Sequence, residues 1–282
     1  MNTLEIVRVA GFATVQDGGR PGHMHDGVPR GGALVPELLA RANAAVGNRA
    51  DAPAIELFGR MTVRAGESGV NLGSERGEPV ALAPHSELDV SAPPSCRVAY
   101  LALRGGIALP RVLGGRGTLV VAGMGGFEGR ALRRGDRLNA GDETGFVAGV
   151  AGLASFAIDR PVRVMAGPDL HRFDPVAIDV LFSSAFTVLP SSDRVGARLH
   201  GPPLQRRDAD DGLSLPMAPG AIEVPGSGPP IVLGPDHPTT GGYPVLAVVV
   251  HADLGPFAAR PVGCPVRFAR VSLEEARALR AR

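Results

Sequence analysis

Acids and glycines gather in three short clusters, two of them with arginines and one with paired threonines, each with the residue types needed to handle an anionic or carbonyl-bearing small molecule. The first is Thr14-Val15-Gln16-Asp17-Gly18-Gly19-Arg20-Pro21-Gly22, with an acid and a guanidinium three positions apart around two glycines. Glycine admits positive φ, and arginine offers a planar fork of donors suited to carboxylate or phosphate. Two readings are open here: Asp17 and Arg20 contact a ligand, or they stitch their own loop shut. The second cluster runs from Ser191 to Leu199 and holds Asp193, Arg194 and Arg198. Arginines four apart can clamp a dianion, and Asp193 can equally neutralise them within a structural network. The third is Asp236-His237-Pro238-Thr239-Thr240-Gly241-Gly242-Tyr243-Pro244, between two apolar runs. The hydroxyls of Thr239 and Thr240 and the amides of Gly241 and Gly242 suit an oxyanion. The alternative is a hairpin whose threonines cap their own backbone.

Other chemistries find less support. His23 and His25 would share a face in an extended segment, but no third ligand accompanies them. The sequence has no nucleophile elbow and no zinc-protease helix motif, and the glycines from Gly114 to Gly129 miss the dinucleotide spacing. All 29 basic residues are arginine. Without lysine the chain has no Walker A loop, no Schiff-base nucleophile and no biotin attachment point, so any such group has to come from another polypeptide. Cys96 and Cys264 stand far apart and outside any paired motif, as reduced structural thiols do.

The elements that must position these clusters read as mainly β. Gly (39) and Pro (26) are dispersed between short apolar runs, the pattern of many strands joined by tight turns. The expected strands are Leu4 to Val9, Ala54 to Leu57, Gly69 to Leu72, Val98 to Leu103, Val162 to Met165, Phe186 to Leu189, Ile231 to Leu233, Val245 to Val250 and Val266 to Phe268. Several are too uniformly apolar to keep a wet face, which favours barrels or sandwiches. Two helices are expected. One spans about Val35 to Val46, with Leu38, Leu39, Ala42 and Val46 on one stripe and Gly47 as its cap. The other starts at Ser272, where Ser272 and Glu275 have the spacing of a capping box.

With 282 residues, 44% hydrophobic and 20% charged, the chain can bury its own core. A net charge of +1 without long charge runs argues against nucleic-acid or membrane-surface partners. The longest apolar stretch, Phe146 to Ile158, is shorter than the roughly 20 residues of a spanning helix. The amino terminus lacks a secretory pattern, so a cytoplasmic location is expected. The glycine- and alanine-rich stretch from Gly141 to Gly152 is the expected boundary between domains at 1–148 and 149–282.

Taken in order, the clusters resemble the biotin-dependent carboxyltransferase-like family. That family contains the C subunit of 5-oxoprolinase, the antagonist of the sporulation-kinase inhibitor, and the carboxyltransferase portion of urea carboxylase, also called allophanate hydrolase subunit 2. The resemblance also includes Gly27-Val28-Pro29, Val46-Gly47-Asn48, Ile55-Glu56, Arg104-Gly105-Gly106-Ile107, Gly125-Gly126, Gly135-Asp136, Gly167-Pro168, Gly220-Ala221-Ile222, Ala252-Asp253-Leu254 and Val271 to Ala276. It implies two cyclophilin-like β-barrel domains with a few short helices. It implies one component of an ATP-dependent 5-oxoprolinase, working with an A subunit, and with a kinase-inhibitor-like B subunit. ATP, with Mg, would be shared with those partners and the substrate would be a lactam or amide. By the same resemblance Asp17, Arg20, Asp193 and Arg194 are the expected catalytic residues, and Arg198, Thr239, Thr240, Gly241, Gly242 and Tyr243 the substrate-binding ones. The alternatives are the carboxyltransferase component of a biotin-dependent urea or amide carboxylase, and a non-catalytic regulatory partner of a kinase-inhibitor-like B subunit. The chain departs from the family pattern at Gly115 and Gly117, where serines are expected, at Glu223 in place of glutamine, and at His237-Pro238 in place of arginine and glutamine. The stretch Leu213 to Met217 is also unlike the family's.

Overall fold

The computed structural model describes residues 2–145, 159–208, 212–226 and 228–280. The chain divides into two compact units, Met1–Gly22 with Arg30–Ser155, and His23–Pro29 with Phe156–Arg282. The boundary expected at 148/149 and the apolar run Phe146 to Ile158 lie outside the described residues.

The first unit is built on β1 (Thr3–Gln16), β2 (Ala54–Ala65), β3 (Val70–Ser74), β4 (Pro79–Leu82), β5 (Glu87–Ser91), β6 (Ala99–Leu103) and β7 (Arg137–Asn139), with helix α1 (Pro36–Ala45). The strands form one sheet ordered β4-β3-β6-β2-β1-β7, with β5 added to β2. The long pair β1 and β2 runs antiparallel from Leu4 opposite Ala65 to Gln16 opposite Ala54, with a register shift between Ile6 and Arg8. Midway, Gly11 (φ 141°) faces Gly59 (φ 100°). A Cβ on Gly11 would sit 2.0 Å from the Phe58 carbonyl oxygen, so only glycine lets the two backbones approach this closely. The core of this unit gathers Leu4, Ile6, Val15, Ile55, Leu57, Val63, Leu72, Leu101 and Leu103. The unit contains no tryptophan, and its buried volume comes mostly from aliphatic side chains whose removal from water contributes roughly 25 cal/mol per Å².

The second unit holds β8 (Val162–Ala166), β9 (Phe186–Val188), β10 (Gly196–His200), β11 (Leu215–Pro216), β12 (Ala221–Glu223), β13 (Ile231–Leu233), β14 (Thr240–Gly241), β15 (Val245–Val249), β16 (Pro265–Val266) and β17 (Phe268–Arg270). Eight of these form a sheet ordered β16-β9-β10-β13-β12-β15-β8-β17, while β11 and β14 pair as a separate ribbon. One face of the large sheet packs on the main core around Val164, Phe173, Leu199, Ile222, Leu246, Phe257 and Phe268. The other carries a smaller cluster of Met217, Ala221, Ile231, Leu233 and Val245. The fold class is therefore mainly β, with one nearly closed barrel sheet and one half-barrel, and few short helices.

Each of the nine expected strands overlaps an observed one, four of them lying wholly inside it, and both expected helices form. Helix α1 ends at Ala45 with Val46 as its cap, after which Gly47 takes φ 71°. Two helices in the second unit, α2 (Pro175–Ser183) and α3 (His251–Ala258), were missed by sequence reading. The first had a signal, since Asp174 precedes Pro175 and its carboxylate accepts the Val176 amide at 2.9 Å. The second carries Pro256 in its interior, which argues against a helix by propensity. In α4 (Leu273–Arg280) the expected capping box closes both ways: Ser272 N–H donates to Glu275 Oε2 at 2.7 Å, and Glu275 N–H to Ser272 Oγ at 3.2 Å.

Candidate functional site

In the first unit the loop after β1 is closed by its own polar groups. Asp17 Oδ1 accepts the Gly19 amide at 2.8 Å, and Oδ2 accepts the Arg116 amide at 2.5 Å. Arg20, only 1% exposed, donates through Nη2 to the Gly117 carbonyl and through Nε to the Val112 carbonyl at 3.4 Å. Acid and guanidinium thus converge on the same 112–117 loop and hold it by backbone groups. Beside it, Arg116 pairs with Glu143, which Arg111 also reaches at 3.3 Å; the Arg116 bond holds the Glu143 carboxyl below its ordinary range. Gln16 Oε1 in the same region is buried without a partner.

In the second unit the second and third clusters meet. Arg194 grips Asp236 as a fork, Nε to Oδ2 at 2.7 Å and Nη2 to Oδ1 at 2.9 Å, with the side chains 6% and 7% exposed. This bidentate form is the strong arrangement for such a pair. Asp236 N–H also donates to the Arg194 carbonyl, so the join is double. Asp193 is exposed, and its Oδ1 accepts the amides of Val195 and Gly196, an Asx turn that starts β10.

The remaining expected residues are held but not engaged. Across four neighbouring strands Arg198, Ile231, Glu223 and Val245 stand directly opposite one another, so their side chains share the face of the smaller apolar cluster. The ribbon β11–β14 pairs Pro216 with Thr240 and Leu215 with Gly241, and Met217 lies against Gly241 while joining the apolar cluster. The Val224 amide donates to the Pro244 carbonyl at 3.1 Å, which ties Glu223 to the end of the Thr239–Tyr243 turn. Thr240, Tyr243 and Arg198 are exposed. Among the described residues, no side-chain hydrogen bond engages the hydroxyls of Thr239, Thr240 and Tyr243 or the Arg198 guanidinium. The arrangement presents hydroxyls and a cation at the edge of a half-apolar face, suited to a small polar ligand with an anionic group.

The carboxyltransferase domain family, subdomains A and B, matches residues 26–270. The chain belongs to this carboxyltransferase family. It is 37% identical to the 5-oxoprolinase C subunit of Escherichia coli (strain K12), over 97% of this chain and 93% of that protein. It is 31% identical to the 5-oxoprolinase C subunit of Haemophilus influenzae, over 98% and 94%. The crystal structure of the K. lactis urea amidolyase superposes on 99% of the chain with a TM-score of 0.87 and 26% identity, and this chain spans 19% of that longer one. In the carboxyltransferase family match the Asp17–Arg20 cluster precedes the first matched residue, whereas the other two clusters lie inside.

Two further groups, outside the expected site residues, stand out in the second unit. Glu223 is 9% exposed, and burial pushes its carboxyl up while the Arg198 charge opposes. His237 is wholly buried; its Nδ1 lies 2.6 Å from the Pro238 carbonyl, which can only accept, so Nδ1 carries the proton. Its Nε2 has no partner, and burial lowers its pKa. Glu223 had been visible only as a departure from the family pattern, and His237 as such a departure within the third cluster. His23 and His25 each reach Asp26, at 3.2 and 3.3 Å, on the surface.

Proposed function

We propose that this chain is the C subunit of an ATP-dependent 5-oxoprolinase, which opens the lactam of 5-oxoproline to glutamate as ATP is hydrolysed, in a complex with the A and B subunits. The observation that carries this is the 37% identity, over nearly the full length of both chains, to a protein of that name. ATP supplies the activation a poor lactam electrophile needs. The chain has no lysine and so no Walker A loop of its own, and the nucleotide with its Mg is shared with the partner subunits.

What this chain contributes is binding and orientation. Arg198 receives the substrate carboxylate, and its exposed guanidinium is suited to a bidentate contact. Thr239 and Thr240, with the amides of Gly241 and Gly242, face the lactam oxygen as charge develops on it, and Tyr243 closes the open side. Asp193 and Arg194 position this turn, the latter through Asp236, and Asp17 and Arg20 position the 112–117 loop. A second reading is carboxyl transfer within a biotin-dependent urea or amide carboxylase. Its support is the urea carboxylase of Kluyveromyces lactis, which superposes on 99% of the chain with a TM-score of 0.87. The biotinyl lysine would then reside on a partner.

The test mixes purified chain with A and B subunits and measures ADP release. Release that requires both 5-oxoproline and this chain is expected. No release from the complete mixture would sink the 5-oxoprolinase reading, and bicarbonate-dependent carboxylation of urea with a biotinylated partner would replace it.

A further inference from the structure

We infer that Glu223 is the acceptor that recognises an amide N–H of the ligand, so that this site selects small lactams or amides over their ester and lactone counterparts. The assignment rests on the 5-oxoprolinase reading for the identity of the ligand but not for the existence of the subsite.

Glu223 is nine-tenths buried, and among the described residues no donor reaches its carboxyl. Its direct neighbours across the sheet are Ile231 and Val245, which offer no hydrogen bond. Burying a carboxyl this way costs free energy in the empty protein, and burial accordingly pushes its pKa up. A hydrocarbon side chain here would extend the Met217, Ala221, Ile231, Leu233 and Val245 cluster at no such cost. The oxygens of Glu223 are not among the fully buried side-chain atoms that lack a partner, so the carboxyl keeps an opening through which a donor on a ligand can reach it.

The surroundings restrict what that donor can be. The charged group that acts on Glu223 is Arg198, one strand beyond Ile231 in the same row. Two strand spacings are about 10 Å between backbones, a gap that two long side chains and a small molecule can fill. Arginine wants an anion and glutamate a donor, so the ligand carries both close together. A cyclic amide whose ring nitrogen is adjacent to a carbon bearing a carboxylate meets this: carboxylate to Arg198, N–H to Glu223, carbonyl toward Thr239 and Thr240. Replacing N–H by a ring oxygen would put two lone pairs against the buried carboxyl, a repulsive contact that a hydrogen-bonding site uses to reject the wrong ligand.

The test uses the full chain in its complex with the A and B subunits, titrated calorimetrically with 5-oxoproline, with the corresponding lactone acid, and with 2-pyrrolidinone and urea as simple N–H donors. Wild type is expected to bind 5-oxoproline at least tenfold more tightly than the lactone. E223A should abolish that ratio, and E223Q, which keeps an acceptor oxygen, should retain part of it. In the absence of ligand E223Q should melt at the same or a higher temperature than wild type. Its advantage should grow as pH rises, because a carboxyl with a raised folded pKa loses stability as it ionises. Equal affinity for lactam and lactone, an unchanged ratio in E223A, or a lower melting temperature for E223Q overturns the inference. Glu223-dependent binding of pyrrolidinone or urea without 5-oxoproline turnover leaves the subsite standing and removes only the 5-oxoprolinase reading.

Discussion

The loop of Asp17 and Arg20 in the first unit and the sheet face beneath Thr239 to Tyr243 in the second are made of the same residue types, yet they use them in opposite ways. In the first, acid and guanidinium are committed to backbone amides and carbonyls of the 112–117 loop. In the second, Arg194 and Asp236 are committed to each other and Asp193 to the amides of Val195 and Gly196, while the other polar groups are not. Arg198, Thr240 and Tyr243 face outward, and Glu223 stays buried without a donor. A polar group already holding the fold is unavailable to a ligand, so the difference separates positioning residues from contact residues.

The contrast breaks most readily at the committed pair. Asp236→Ala leaves the Arg194 charge buried without its partner and should cost about 3–5 kcal/mol in urea unfolding. The double change Arg194→Met with Asp236→Leu should cost clearly less than the two single changes together, since no charge is then stranded. An additive result would mean that the fork does not hold the two clusters together. Next in size, Asp17→Ala removes the acceptor for two backbone amides and should cost about 1–3 kcal/mol. Its effect on turnover in the complex should follow the loss of folded protein. A fall in kcat at full folding would move Asp17 into the contact set. Smallest in stability is Thr240→Val, within about 0.5 kcal/mol because the hydroxyl is exposed and engaged by no side chain. The same change should lower turnover tenfold or more if the turn meets the substrate. Unchanged turnover in T240V would remove that hydroxyl from the site.

Much of this was legible in the sequence. The strands from Val98 to Leu103 and Val245 to Val250 could be read because uninterrupted apolar runs bounded by turn residues have few other ways to bury themselves. The capping box at Ser272 was a purely local signal and formed as spaced. By contrast, α3 has Pro256 inside it, and strands such as Gly196–His200 and Arg137–Asn139 alternate too little or are too short to announce themselves. For the Asp17 loop the two readings could not be separated by residue type, because a carboxylate accepts equally from a ligand and from the Arg116 amide, 99 positions away.

By itself the sequence determined the chemical vocabulary of this protein: arginine without lysine, three clusters of acid and glycine of which two carry arginine, and an ordered set of motifs that places it among carboxyltransferase domains. Composition and motif order are properties of the chain and survive without knowledge of contacts. Which of those groups are already satisfied was decided only by the tertiary structure. A hydrogen bond depends on a few ångströms between residues such as Arg194 and Asp236, 42 positions apart, and Glu223 became notable only when its neighbours proved to be Ile231 and Val245.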